Sequence, residues 1–281
     1  MRDVLRVATG ADLSMVWTAV RSAHVFAGRS ELDRFFAEAP WRVQVTDAGE
    51  AAILERWREH LDVLSVRRLW CSERRVLALM RALDTVAARQ GFTDLLSPII
   101  PESHAGPYRD AGMSVCQRII TMRLDHLGRR DLPAAPAPIG VTLRLADHSD
   151  LEALMAVDIV AFGGFWRGDV PTINRYLATG RVAVAEAEGQ VIGYTLSTAE
   201  RGEGTLGRLA VDPRRQGRGI GTALLHDAVE YLVRAGASAV SLCTQEDNAS
   251  SRSLYARMGF GEIGETSVFL SYARTPETHA I

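Results

Sequence analysis

The sequence predicts an α/β (α+β) chain made of two successive units, each a sheet flanked by helices. Three observations predict it. Apolar strand-like runs alternate with helix-period segments through the 281 residues, the mark of a mixed architecture. Residues 131–139, D-L-P-A-A-P-A-P-I, set three prolines among alanines and read as an extended linker near the middle. The order of elements after that linker repeats the order before it. Tyr108-Arg109-Asp110-Ala111-Gly112-Met113 lines up with Tyr255-Ala256-Arg257-Met258-Gly259-Phe260, each after a strand that follows a long helix. The expected division is 1–125, a linker over 126–138, 139–275, and a polar tail over 276–281.

In the second half, residues 141–145 read as a strand. Ser149 or Asp150 can cap a helix that runs through Ala161. Residues 162–169 form a loop rich in aromatics and glycine, and 170–179 a second helix. Strands at 181–187 and 191–197 flank Glu188-Gly189, a hairpin signal. A strand at 205–211 leads to a helix from Ile220, with Leu224, Leu225, Ala228, Val229, Leu232 and Val233 on one face and Gly236 ending it. Residues 239–243 are a strand, 250–258 a short helix closed by Gly259, and 267–272 a final strand.

The first half follows the same order more loosely. A strand at 5–8 precedes a helix over 12–26, strands follow at 41–46, 52–57 and 61–70, and a helix covers 73–89 with Gly91 behind it. Strands at 93–96 and 115–124 close the unit.

Composition narrows the function classes. The net charge of −2 gives no reason to expect nucleic-acid or membrane-surface binding. All 32 basic residues are arginine, which rules out lysine Schiff bases and a Walker loop. Cys71, Cys116 and Cys243 are too far apart for a disulfide framework or a metal site, which fits a reducing cytoplasm. No signal peptide is expected, and no stretch approaches the roughly 20 apolar residues of a membrane helix.

The most informative stretch is 209–225, L-A-V-D-P-R-R-Q-G-R-G-I-G-T-A-L-L. A strand runs into a glycine-rich turn and then a helix N-terminus. Bare amides at a helix start, at the positive end of its dipole, suit an anion. Gly217, Gly219 and Gly221 let a phosphate approach the backbone. Gly202–Gly207 matches G-x-G-x-x-G literally, but it precedes a strand instead of following one, so a dinucleotide loop fails on context.

Arg214-Arg215-Gln216-Gly217-Arg218-Gly219 fits Q/R-x-x-G-x-G/A and resembles motif A of the GNAT acyl-CoA N-acyltransferases. Asn248-Ala249-Ser250-Ser251, then Leu254-Tyr255 and Gly259-Phe260, resembles that family's motif B, and residues 139–273 match throughout. The resemblance implies two tandem GNAT-like domains, each with a mixed, mostly antiparallel sheet. It implies acetyl-CoA as cosubstrate and no metal. Amides from Gln216 through Ile220 and Gly221 to Thr222 are then expected to hold the pyrophosphate. The edge of Leu209, Ala210 and Val211 would pair with the pantetheine arm, as a peptide adds to a sheet. An amide at Ala210 or Val211 would face the thioester oxygen.

Arg214, Arg215, Arg218 and Arg252 are candidates for the outer phosphates, each equally readable as a solvated charge. Tyr255 is, by resemblance, the acid that protonates the departing thiolate. Asn248 either binds the pantetheine arm or caps the following helix, beside Ser251. Many relatives carry a glutamate base where this chain has Cys243, which reads as a small buried residue. Glu200, Glu203 and Glu246 are the remaining candidates for a base. Phe162, Phe165, Trp166 and Arg167 occupy the family's acceptor loop, as substrate contacts or as a hydrophobic plug.

The matching place in the first half is Trp70-Cys71-Ser72-Glu73-Arg74-Arg75-Val76, with no glycine. Glu73 puts a negative charge where a pyrophosphate would sit. The first half is therefore expected to be a degenerate GNAT-like domain without activity, although Arg74 and Arg75 near the helix start leave acyl-CoA binding open. That tandem arrangement resembles mycothiol synthase, although no residue specifies its substrate. The expected activity is acetyl transfer to a primary amine of a small molecule or peptide. The alternative is an acyl-CoA-binding sensor or interaction module without chemistry. A homodimer stays open, since no residue fixes the oligomeric state.

Overall fold

A computed structural model describes residues 5–21, 25–26, 28–127 and 135–272. The chain divides into two compact units. One runs up to Arg118 and takes in the chain again from Ser267; the other is Ile119–Thr266.

The first unit contains β1 (Arg6–Val7), α1 (Leu13–Val20), α2 (Arg29–Glu38), β2 (Val43–Val45), β3 (Ala51–Arg56), β4 (Val63–Trp70), α3 (Glu73–Arg89), β5 (Asp94–Leu96), β6 (Ile100–Pro101) and α4 (Gly106–Asp110). Strands β1 to β4 pair antiparallel in order, and β5 lies parallel to β4. Its core joins Leu54, Leu64 and Val66 of the sheet to Met80 and Leu83 of α3.

The second unit contains β8 (Thr142–Leu145), α5 (Leu151–Ala161), α6 (Val170–Thr179), β9 (Arg181–Ala187), β10 (Gln190–Glu200), β11 (Glu203–Val211), α7 (Ile220–Arg234), β12 (Ala239–Gln245) and α8 (Ala249–Met258). Pairing is antiparallel from β8 to β11, and β12 lies parallel to β11. Leu225, Ala228, Val229 and Leu232 of α7 pack with α8 on one face, while Leu154, Val157 and Ile173 of α5 and α6 pack on Tyr194 and Leu196 at another. Each unit is thus a mixed, mostly antiparallel sheet flanked by helices, the fold class expected.

Two strands belong partly to each unit. β7 (Ser114–Leu124) straddles the division at Arg118, and β13 (Gly261–Ser271) straddles it at Thr266. Ile119 to Leu124 pair antiparallel with β12, from Gln245 to Val240. Ser271 pairs with Leu96, and Ser267 with Pro101. The Ser97 amide donates to the Leu270 carbonyl at 2.8 Å, and the Ser97 hydroxyl accepts from the Leu270 amide at 2.9 Å. From sequence, 115–124 and 267–272 are instead expected to close their own halves. The reason for the difference is burial: Ile120, Met122 and Leu124 enter the second core, and Val268 and Leu270 the first.

Other corrections are local. The helix expected over 12–26 is described as α-helix only over Leu13–Val20. α2 is an addition to the expected elements, although Leu32, Phe35 and Phe36 recur at helical spacing. The tail over 276–281 and residues 128–134 of the linker lie outside the described residues.

The two units share a device that the motifs do not announce. Arg6-Val7-Ala8-Thr9-Gly10-Ala11-Asp12 and Arg144-Leu145-Ala146-Asp147-His148-Ser149-Asp150 share the pattern R-x-A-x-x-x-D. In each, the arginine grips the aspartate with two bonds, at 2.8 and 3.0 Å from Arg6 and at 2.8 and 2.8 Å from Arg144. In each, the aspartate closes a capping box ahead of α1 or α5. Hydrogen bonds from these arginines hold both carboxyls below the usual range. Their contribution is present above the unfolded carboxylate pKa and lost as pH falls through the depressed folded values. Thermal melts should therefore show a drop in stability below about pH 4, and Asp150→Asn should flatten that drop.

A second shared feature matters more for function. On β4 the register against β3 shifts between Ile53 and Leu54, skipping Arg67. On β11 the register against β10 shifts between Leu196 and Ser197, skipping Gly207. Such a bulge bends its strand and sharpens the twist. Among the described residues the parallel pairing stops short of each bulge: β5 pairs with Val63 to Ser65, and β12 with Glu203 to Leu206.

Candidate active site

The free edge of β11 is the foundation of the site. Among the described residues no strand pairs Gly207 to Val211 on the β12 side. Asp212 donates its amide to the Ile192 carbonyl at 2.9 Å. By antiparallel alternation, Ala210 then points its amide at β10, while Leu209 and Val211 turn theirs to the open edge. Of the two oxyanion amides expected from sequence, the register favours Val211.

The strand runs straight into the glycine loop. Gly217 and Gly219 have φ of +74° and +83°, a left-handed conformation open to glycine at no steric cost. Gly219 is the N-cap of α7, and the first helical bond runs from the Ala223 amide to its carbonyl at 3.0 Å. The amides of Ile220, Gly221 and Thr222 therefore have no helical acceptor. A Cβ on Gly217 would meet nothing within 4 Å, so that side of the loop is open. Gln216 donates its side-chain amide to the Val211 carbonyl at 3.0 Å and ties the loop to the strand end.

These parts surround a cleft of about 450 Å³ lined by Ala161, Phe162, Leu209, Val211, Gly217, Gly219, Gly221 and Thr222, with Asn248, Ser251 and Leu254 on the far wall. Ala210 and Gln216 also line it. Replacing Gly217 by valine should strain the left-handed turn and fill the open side. The acetyl-CoA-induced rise in melting temperature is then expected to vanish, where the parent shows one.

Asn248 caps α8, its Oδ1 accepting from the Ser251 amide at 3.1 Å, and its side chain also lines the cleft. Tyr255 is only 6% exposed and belongs to the core beside Phe260. Its hydroxyl has the Ser251 side chain as hydrogen-bond partner, and burial pushes its pKa up to about 12. Ser251 thus both lines the cleft and bonds the phenol.

Other expected residues are not gathered here. Arg252 is held by the Glu246 carbonyl and by Glu262, each at 2.7 Å. Arg214 binds Asp212 at 2.7 Å and Arg215 binds Glu188 at 3.3 Å. With Arg218 they line a larger cleft of about 800 Å³ on the α5 side. Glu203 starts β11 and is clasped by Arg123 at 2.8 and 3.0 Å, which lowers its pKa. It lies eight residues up the strand from Val211, about 26 Å at strand rise. Glu246 is exposed on the loop before Asn248, and Glu200 is exposed at the end of β10.

Cys243 is exposed, not buried as expected, with Thr121 Oγ1 at 3.6 Å from its sulfur. Alternation on β12 explains it: Val240, Leu242 and Thr244 take the buried face. In the aromatic loop, Phe162 lines the cleft, whereas Phe165 is 6% exposed and packs edge-on against Trp166. Phe165 is a plug. Arg167 is exposed.

Sequence reasoning missed the polar centre beneath that loop. Asp158 of α5 is fully buried, and it accepts from the Tyr194 hydroxyl, the Gly168 amide and two nitrogens of Arg208. The four groups are scattered along the chain with no motif to announce them.

In the first unit the glycine loop has no counterpart. α3 begins directly after Ser72. Glu50 is bound there by Arg75 at 2.9 and 3.0 Å and by Thr46. A protein carboxylate thus already neutralises the cation near that helix start. Tyr108 is 6% exposed in the core, its pKa raised to about 12 by burial. Titration of the full chain should give one acetyl-CoA per chain; two would show that the first unit still binds. Among the described residues no cluster of His, Cys, Asp or Glu could hold a metal, and no helix is long and apolar enough to cross a membrane.

Known proteins agree with this geometry. Residues 152–260 match the Acetyltransferase (GNAT) family. A mycothiol acetyltransferase of Brachybacterium faecium is 30% identical over 167 residues, 54% of this chain and 50% of that protein. The chain spans about half the length of the curated relatives it matches. A GCN5-related N-acetyltransferase from Sphaerobacter thermophilus superposes with a TM-score of 0.66 at 20% identity, over 96% of this chain and 95% of that one. A tandem GNAT protein from the clavulanic acid biosynthesis pathway superposes with a TM-score of 0.66 at 18% identity, over 95% and 97%. Residues 152–260 thus form a domain of the Acetyltransferase (GNAT) family, and the chain shares its fold with a tandem GNAT protein.

Proposed function

We propose that the second unit transfers the acetyl group of acetyl-CoA to a primary amine in a ternary complex, in the cytoplasm. The observation that carries this reading is the free edge of β11 running into the bare amides at the start of α7. The loop amides and helix dipole hold the pyrophosphate. The Leu209 and Val211 edge holds the pantetheine arm and aligns the thioester. The Val211 amide meets the carbonyl oxygen as charge develops there. The amine attacks, the carbon–sulfur bond breaks, and Tyr255 gives its proton to the sulfur, with Ser251 linking phenol and cleft. The attacking nitrogen releases its proton to water; Glu246 is exposed on the loop before Asn248.

The relatives are mycothiol acetyltransferases, so the unacetylated form of mycothiol is the first acceptor to test. Peptide amines and other small amines follow. A specific observation favours the second reading, an acyl-CoA-binding module. Neither Glu203 nor Glu246 lines the cleft, and the Tyr255 ring sits in the core. Release of free CoA upon adding amines separates the two. A module binds acetyl-CoA and releases none.

A further inference from the structure

The buried centre under the aromatic loop ties that loop to β11. Arg208 lies one residue past the bulge at Gly207 and one before Leu209, whose amide faces the free edge. Its side chain is 10% exposed and that of Asp158 is 0% exposed. Arg208 Nη2 donates to Asp158 at 3.0 Å and to the Trp166 carbonyl at 2.6 Å. The guanidinium lies 3.7 Å from the centre of the Phe162 ring. Asp158 in turn accepts the Gly168 amide and the Tyr194 hydroxyl. One side chain of the cofactor strand therefore reaches the loop at Phe162, at Trp166 and, through Asp158, at Gly168.

A buried ion pair is often no more stabilising than apolar residues of the same volume. What it adds is fixed geometry, since the planar guanidinium fork makes several directed bonds at once. Phe162 and Ala161 line the same cleft as Leu209 and Val211.

We propose that Arg208 is a positioning residue that sets loop 162–168 against the free edge of β11 and so fixes where the acceptor enters. This rests on the acetyltransferase reading of the second unit. Lysine at 208 keeps the charge and loses the fork. Gly168→Ala disturbs the same centre without touching Arg208, because its Cβ would stand 3.1 to 3.2 Å from the Asp158 carboxylate.

The test uses the full chain as Arg208→Lys and Gly168→Ala. Hydrogen exchange of the peptide covering 162–168 is compared with peptides from α7 and β12. Steady-state kinetics use acetyl-CoA with the unacetylated form of mycothiol. The expected result is exchange in the loop faster by about tenfold or more, with α7 and β12 still protected. The acceptor KM should rise about tenfold while the acetyl-CoA dissociation constant stays within about twofold. Unchanged loop exchange in both variants would overturn the proposal. So would acetyl-CoA affinity falling in step with acceptor KM, the mark of a merely structural role. Should Arg208→Lys fail to fold, Gly168→Ala decides. If the parent transfers acetyl to no amine, the acetyltransferase reading fails and takes the acceptor role with it, whatever the exchange shows.

Discussion

Replacing Tyr255 by phenylalanine lowers turnover about 100-fold, the ordinary range for losing a general acid, and leaves acetyl-CoA affinity within about twofold. The substitution removes one hydroxyl and keeps the ring that packs with Phe260, so the fold survives. Desolvation is the main cause of the raised pKa, pushed up to about 12. The proton is present below that value and lost as pH rises through it, so the phenol stays armed over the working range. The acid function should therefore impose no loss of kcat between pH 6 and pH 10. Rates measured across that range in parent and variant check both statements. An equal rate in the variant at every pH would remove Tyr255 from the chemistry.

Asp158→Ala destabilises the second unit by about 3 to 5 kcal/mol, because it leaves Arg208 buried without its counter-charge. The variant also strips the Gly168 amide and the Tyr194 hydroxyl of their acceptor. At roughly 2 to 4 °C per kcal/mol, the melting temperature falls by about 10 °C. Adding Arg208→Met should recover much of the loss, since the cost lies in the unpaired charge and not in the missing contact alone. A thermal melt of the two single variants and the double variant gives the coupling directly. Additive losses would mean that the two residues do not act as a pair.

The site is legible in the sequence in proportion to how local its chemistry is. The strand, glycine loop and helix start of residues 209–225 form one continuous segment, and Gly217 and Gly219 do adopt the left-handed turn that their identity suggests. The Asn248 cap is equally local. The Asp158 centre is invisible there because its partners Gly168, Tyr194 and Arg208 lie 10, 36 and 50 residues away. The exposure of Cys243 is a local matter that alternation could have revealed, since V-S-L-C-T-Q puts Val240 and Leu242 on the opposite face.

Fold-level legibility follows the same rule. The helices and hairpins of the second unit come out of periodicity and turn residues. The placement of Ile119 to Leu124 beside β12 does not, because any apolar strand can pair with any other until long-range burial decides. In the sequence, the shared order of elements, more than the one hexamer around Tyr108 and Tyr255, points to a duplication. It is carried more firmly by the paired bulges at Arg67 and Gly207 and by the repeated Arg6–Asp12 and Arg144–Asp150 grips. The first unit keeps the splayed strands and lacks the glycine loop, which is why one working site is expected.

The proposed activity is transfer of acetyl from acetyl-CoA to an amine in the cleft lined by β11 and α8. Free CoA release by the full chain, with product mass, measured over a panel of primary amines that includes the unacetylated form of mycothiol, tests it most directly. The expected result is release that depends on the amine, matches the acetylated product, and disappears in Gly217→Val. Tight acetyl-CoA binding with no amine-dependent release across the panel, or release that Gly217→Val leaves intact, would contradict it.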